Sequence, residues 1–446
     1  MKILIICYSY FPELSPRAFR WTAIAEELVL LGHQVAVICA SSTNRAACEC
    51  VNGVEIHRTG SNLRQLVKRW LRLEATAGPA SAATTIRTSI SIRSMVGGLI
   101  KSVYRHTVSK ILWPDSAGFW YFSALNKAHA LQQHFRADVL VTVSLPYTGH
   151  LVGYALKRRY AVHWLVDIGD PFSFMTKTPV NNTALFRSLN VRSESSVLAL
   201  ADAVAVTTEG TRQEYLKCFP KMEQTKIAVV PPLFALPTSP VGLASSRSGS
   251  DKIRLVFAGT LYRSIRNPTA LLEFFRYLIS TRPAAQFELH FYGVVNNCQP
   301  CFDAYADLIN TSIFMHGLVP HEEAVRAMQE ANVLVNIGNS TAYQLPSKVV
   351  EYIMSGTPVL NIAKLDLDSS QSFFSDFSGV CNVTEAALKC DPVELDRVRR
   401  FVENPPAIDN TCIEQLARTH NAQTVTQNYL ALFCERSVKA EEGGRL

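Results

Sequence analysis

The sequence predicts an α/β protein of two domains, each a parallel sheet covered by helices, and three observations carry that prediction. The first is length: 446 residues exceed one ordinary core and suit two domains of about 200 residues each. The second is alternation, because in both halves short apolar runs trade places with stretches of helical periodicity. The third is PPLFALPTSPVGLASSRSGS at 231–250, rich in Pro, Ser and Gly, which separates two such series and reads as a linker. The expected division is an N-terminal domain over 1–230, a linker over 231–252, a second domain over 253–415, and a C-terminal helix and tail over 416–446.

In chain order, KILIIC (2–7) is a buried strand by its continuous apolar run. Tyr8, Pro12 and Glu13 follow it where a signal peptide would carry small residues, so a strand is expected and not a leader. A helix near 17–31 turns Phe19, Ile24, Leu28 and Leu31 inward, Gly32 ends it, and QVAVIC (34–39) is the second strand. The loop between them lacks GxGxxG, which argues against a dinucleotide oxidoreductase. Further on, 138–143 is a strand, 149–158 a helix and 161–166 a strand that runs into an acidic loop. Residues 194–210 read as a helix and then a strand ending at Thr-Thr-Glu, with Glu209 as a helix cap. The second series holds strands at 253–258, 286–292, 312–316 and 331–338. The helix that Pro268 starts in this half turns Leu271, Leu272 and Phe275 inward.

Composition narrows the class. With 48% hydrophobic and 18% charged residues the chain is a folding one. No run of 18 apolar residues exists, so no membrane span is expected. Eleven scattered cysteines suit a reducing, cytoplasmic setting. Neither Cys298/Cys301 nor Cys48/Cys50 has an obvious complementary ligand pair in the sequence, so no zinc site is expected. Charge is concentrated: 58–110 holds ten basic residues against Glu74 alone. Within that segment LRQLVKRWLRL (63–73) interleaves apolar residues with Arg64, Lys68, Arg69 and Arg72. It fits an anionic membrane surface, or equally a solvated insert or a helix packed on the sheet; nucleic acid is disfavoured by the scarcity of aromatics.

The most informative stretch is LPSKVVEYIMSGTPVL (345–360). A polar loop arrives at Ser347 as N-cap, a short helix follows, Gly356 stops it and Pro358 bars its continuation. A helix start after such a loop offers free N–H groups to phosphate, and Lys348 adds a full positive charge there. Glu351, one turn on, can accept from two adjacent hydroxyls, as on a ribose. As a bare i,i+3 pair the same two residues would be a solvated ion pair worth about 0.5 kcal/mol or less.

This stretch resembles the donor-binding segment of GT-B-fold glycosyltransferases, especially family 4, with a pattern close to PxKxxEYxxxGxPV. The opening FPELSPRAFR and the run from 137 to 174 resemble one branch of the same family. The resemblance implies two Rossmann-like doubly wound domains facing a cleft, and transfer of a sugar from a nucleotide-diphosphate sugar to an acceptor hydroxyl with retention. It implies neither metal nor resident cofactor. For this sequence it implies Arg263, Arg266 and Lys348 on the donor diphosphate, Glu351 on the ribose and Gly317–Leu318 over the base. Asp167 and Asp170 would face the cleft, with Asp170 as the acceptor-side carboxylate and His150 as a substitute for the family's histidine. The sequence departs from the pattern at Tyr343, Ser144, Gly169 and Phe172, where the family has glutamate, histidine, arginine and tryptophan. Asp366-Leu-Asp368 reads as a loop and not as a metal-binding DxD. The basic segment extends the expectation to a lipid-linked acceptor at the inner membrane face, as in polysaccharide or glycolipid assembly. The alternatives are a non-catalytic partner subunit of the same fold, or another enzyme of that fold such as a nucleotide-sugar epimerase.

Overall fold

A computed structural model describes residues 1–13, 15–42, 45–60, 112–234, 252–281, 287–346, 348–366 and 368–442. The amphipathic run at 63–73, most of the linker and the Ser347 cap lie outside the described residues. The chain divides into two compact units. The first comprises Met1–Val206, Cys218–Ala228 and the chain from Thr426; the second comprises Thr207–Lys217 and Val229–Val425.

The first unit opens with β1 (Lys2–Ile6), α1 (Pro16–Leu30) and β2 (Gln34–Ala40). Pro16 stands at the start of α1, where its missing N–H costs nothing, and the Ser15 hydroxyl accepts from the Ala18 amide at 3.2 Å. The buried apolar stripe of α1 is Ala18, Trp21, Ile24, Ala25 and Leu28, and Phe19 and Leu31, both expected inside, are 47% and 37% exposed. The reason is Trp21: seating its indole sets the helix rotation, and the 21/24/25/28 face leaves Phe19 outside.

Next come β3 (Cys48–Val51) and β4 (Val54–Thr59), an antiparallel hairpin that the sequence reading missed. Asn52 and Gly53, both at positive φ, make its two-residue turn. Then follow α2 (Trp120–Phe135), β5 (Val139–Ser144), α3 (Thr148–Lys157), β6 (His163–Ile168), α4 (Thr183–Leu200), β7 (Ala203–Val206), α5 (Glu209–Cys218) and β8 (Ile227–Val229). The sheet order is β3-β4-β2-β1-β5-β6-β7-β8. From β1 the sheet grows outward in both directions, so its topological switch point lies between β1 and β5. The strands carry near-continuous buried runs such as Ile3–Ile6 and Val35–Cys39, as a sheet covered on both faces requires.

The second unit contains β9 (Ile253–Ala258), α6 (Thr269–Thr281), β10 (Phe287–Tyr292), β11 (Ile313–Gly317), α7 (His321–Glu330), β12 (Val333–Ile337), α8 (Lys348–Met354), β13 (Val359–Ala363), α9 (Ser369–Phe373), β14 (Val380–Thr384), α10 (Glu385–Cys390), α11 (Pro392–Glu403) and α12 (Asn410–Thr419). Leu271, Leu272 and Phe275 of α6 are buried as the sequence predicts. All pairings in this sheet are parallel and its order is β11-β10-β9-β12-β13-β14, with the switch point between β9 and β12. Asn336, Asn361 and Asn382 stand in register on β12, β13 and β14 and pass amide hydrogen bonds of 2.7 Å along the sheet.

The last helix, α13 (Ala422–Glu442), brings Tyr429 into the first unit. There the Tyr429 hydroxyl donates to Asp167 Oδ1 at 2.7 Å and accepts from Arg20 Nη2 at 2.9 Å.

Candidate active site

In the second unit the loops at the carboxyl ends of the strands begin on glycine. Gly259 follows β9, Gly293 follows β10, β11 ends on Gly317, and Gly338 follows β12. A Cβ at Gly293, whose φ is +123°, would lie 2.1 Å from the Gly259 carbonyl oxygen, and one at Gly338 would lie 2.4 Å from Asp368 Oδ2. The Gly259 and Gly293 backbones therefore approach closely, and Gly338 leaves room for the Asp368 side chain.

Arg266 ties the two loops of the switch point together. Its Nη2 donates to Asn339 Oδ1 at 3.0 Å and its Nη1 to the Thr260 carbonyl at 3.3 Å. Burial lowers its pKa from the usual arginine value, and its buried Nε has no hydrogen-bond partner among the described residues. Asn339, which sequence reasoning missed, also donates to the Gln344 carbonyl at 2.9 Å. Ser340 closes the seam, its amide donating to the Ile265 carbonyl at 3.0 Å and its hydroxyl to the Ser264 carbonyl at 2.8 Å. Arg263 lies in the same loop with an exposed side chain, and its amide donates to Asn297 Oδ1 at 3.0 Å.

Lys348 and Glu351 meet on α8, Lys348 Nζ donating to both carboxylate oxygens at 2.7 and 2.6 Å. Their side chains are 27% and 30% exposed, so each remains open to solvent and a ligand can compete for it. The inner face of α8 fixes them: Val349, Tyr352 and Ile353 are buried, and the Tyr352 hydroxyl accepts from the Ala258 amide at 2.8 Å. His321, at the start of α7, comes within 4.0 Å of Glu351 Oε2 and is a second neighbour that the sequence reading missed. Gly317 has φ +69°, and Leu318 after it is 83% exposed. Tyr343 is buried, and its carbonyl accepts from Thr211 Oγ1 at 2.8 Å. Asp368 accepts from the Ser370 and Gln371 amides as the N-cap of α9, so its carboxylate has a capping role.

The first unit holds the two acceptor-side candidates. Asp170 is half-buried in the loop after β6. Glu194 of α4 accepts from the amides of Phe172 and Ser173, just past Asp170, at 3.3 and 2.9 Å and so anchors that loop. Phe172 stacks on Tyr147 with centroids 3.8 Å apart.

His150 requires a correction. It is 1% exposed, its Nδ1 lies 2.8 Å from Thr142 Oγ1, and burial pushes its pKa down to about 3. A neutral imidazole sealed from solvent cannot reach a substrate, so His150 is a core residue.

Asp167 is also buried. It accepts from the Trp21 indole at 2.9 Å and from Tyr429, with Arg17 at 3.5 Å. Gly169 makes room for that arginine: a Cβ there would lie 1.2 Å from Arg17 Nη2.

The comparisons agree with this architecture. Residues 18–232 match the model of the Glycosyl transferase 4-like domain. Sucrose-phosphate synthase from Thermosynechococcus elongatus superposes with a TM-score of 0.63 at 14% identity, covering 99% of both chains. The apo lipopolysaccharide outer core galactosyltransferase WaaB gives 0.57 at 12% identity, covering 98% of this chain and 100% of its own. The trehalose-6-phosphate protein from E. coli, solved with UDP-2-fluoro glucose, gives 0.62 at 8% identity, covering 97% and 99%. No curated protein matches the chain. Residues 18–232 thus resemble a Glycosyl transferase 4-like domain, and the fold of the chain is the GT-B fold of the glycosyltransferases it superposes on.

Proposed function

We propose that the chain moves a hexosyl group from a nucleotide-diphosphate sugar to an acceptor hydroxyl in polysaccharide or glycolipid assembly. The observation that carries the donor half is the Arg266–Asn339 bond across the switch point of the second sheet, with Lys348 and Glu351 on the helix that follows. Open α/β sheets bind ligands outside the carboxyl ends of their strands at that point. Arg263, Arg266 and Lys348 supply positive charge for a diphosphate, and Arg suits bidentate phosphate contact. Glu351 then accepts from the ribose hydroxyls once Lys348 turns to phosphate. Opening that half-exposed pair costs under about 1 kcal/mol. Gly317–Leu318 covers the base. The UDP-2-fluoro glucose held by the E. coli neighbour supports the nucleotide-sugar class.

In the proposed retaining step the acceptor oxygen bonds to the anomeric carbon as the bond from that carbon to the diphosphate breaks. The acceptor proton passes to the departing phosphate oxygen, and the same cations stabilise the leaving diphosphate, so the step uses no metal or resident cofactor. Asp170 orients the acceptor hydroxyl. The basic charge of 58–110 supports, within the same proposal, a lipid-linked acceptor at an anionic surface. The mode proposed is peripheral contact through that charge; among the described residues no helix is long and apolar enough to cross a membrane.

Calorimetry with a panel of nucleotide sugars tests the reading. Wild type is expected to bind one donor, and Lys348→Ala to weaken it by about tenfold or more, or ~1.4 kcal/mol. A panel in which no nucleotide sugar binds wild type would overturn it.

A further inference from the structure

We propose that the edge hairpin β3–β4 is a binding site for zinc, with Cys48, Glu55 and His57 as ligands and Cys50 completing the set. The pairing register is the first observation. Cys48 stands opposite His57, and Cys50 stands opposite Glu55. Directly opposed residues on antiparallel strands share a face, as do residues two apart on one strand. All four potential ligands therefore project from one face of one hairpin. This corrects the sequence expectation that the Cys48/Cys50 pair lacks complementary ligands. Donor atoms of Cys48, Glu55 and His57 already lie within 4.8 Å of one another. Around tetrahedral zinc, bonds of about 2.0–2.3 Å put neighbouring ligand atoms roughly 3.5 Å apart, so small side-chain rotations close the set.

The second observation is His57 itself. It is 4% exposed, and its Nδ1 has no hydrogen-bond partner among the described residues. Its Nε2 already pairs with Glu55 Oε1 at 2.7 Å, which sets two of the ligands side by side. A buried imidazole in that condition is unfavourable unless something takes a nitrogen lone pair, and a metal ion does so.

Sulfur, nitrogen and carboxylate donors together select a borderline-soft divalent cation over calcium or magnesium. Two thiolates and one carboxylate outweigh a dication by one negative charge, and Lys127 of α2 is the positive group facing His57. Access is from solvent, since Cys48 and Cys50 are exposed. The site would cross-link the edge strand of the sheet to its neighbour, holding β3 where an unpaired edge is prone to fray.

Cobalt(II) is the probe: reduced, metal-free full-length protein is titrated while thiolate-to-cobalt absorbance is recorded, and zinc is then added to displace it. One equivalent is expected, lost in Cys48→Ser and in His57→Gln and unchanged in Cys298→Ser. Cys50→Ser is expected to weaken binding at least about tenfold, because even second-shell losses cost that much. Cys48 is exposed, so its substitution leaves the fold intact and decides the matter even where His57→Gln unfolds. Wild type that takes up no cobalt, or Cys48→Ser that binds as wild type does, overturns the proposal.

Discussion

Asp167 in the first unit and Glu351 in the second are both carboxylates near the carboxyl ends of parallel strands, and both sit beside a basic residue. Asp167 is 3% exposed and receives hydrogen bonds from Trp21 and Tyr429, with Arg17 at 3.5 Å. Tyr429 itself is held by Arg20, and burial raises its phenol pKa. Glu351 is 30% exposed on its side chain and is bonded by Lys348 of the same helix. A carboxylate engaged by three side chains from two separate helices has structural work. One held by a single half-exposed lysine can exchange that partner for a ligand.

The largest effect that would break this contrast concerns Asp167. Asp167→Ala strips the acceptor from Trp21 and Tyr429 and leaves Arg17 without its carboxylate, so a loss of about 3–5 kcal/mol in urea unfolding is expected. A loss below about 1 kcal/mol would show that the buried network carries little.

Next in size is a pH effect from His150, another buried group of the first unit. Burial holds its folded pKa at about 3, whereas the unfolded chain takes its proton near pH 6.5. Between those values the unfolded state binds more protons, so this contribution is full above about pH 6.5 and falls as pH drops. The slope is at most about 1.4 kcal/mol per pH unit. His150→Asn should flatten the wild-type stability profile between pH 6 and 4, and parallel profiles would show that His150 titrates normally.

The smallest expected effect sharpens the contrast from the other side. Glu351→Gln should change stability by under about 1 kcal/mol while weakening nucleotide-sugar binding in the calorimetric panel. A large stability loss would move Glu351 into the structural class with Asp167.

Legibility in the sequence followed the range of the interaction. The helix from Lys348 and its stop at Gly356 rest on neighbours a few residues apart, and α8 ends at Met354 with Gly356 at φ +66°. The Lys348–Glu351 contact is likewise local, set by i,i+3 spacing. The β3–β4 hairpin was legible in Asn52-Gly53, a two-residue turn signal between two short β-prone runs. The resemblance offered His150 as a substitute for the family's histidine; only the packing of Thr142 and Tyr147 shows it enclosed.

The sequence by itself determined the alternation of strands and helices, the glycine rim and the placing of a cation and a carboxylate on one helix. Each of these depends on periodicity, φ preference or spacing within a turn or two. Tertiary structure decided what each polar group does. It joined Arg266 to Asn339 across 73 residues and Asp167 to Tyr429 across 262. It also set Cys48 against His57. Desolvation and hydrogen-bond saturation belong to the assembled neighbourhood of a side chain, and no local pattern specifies them.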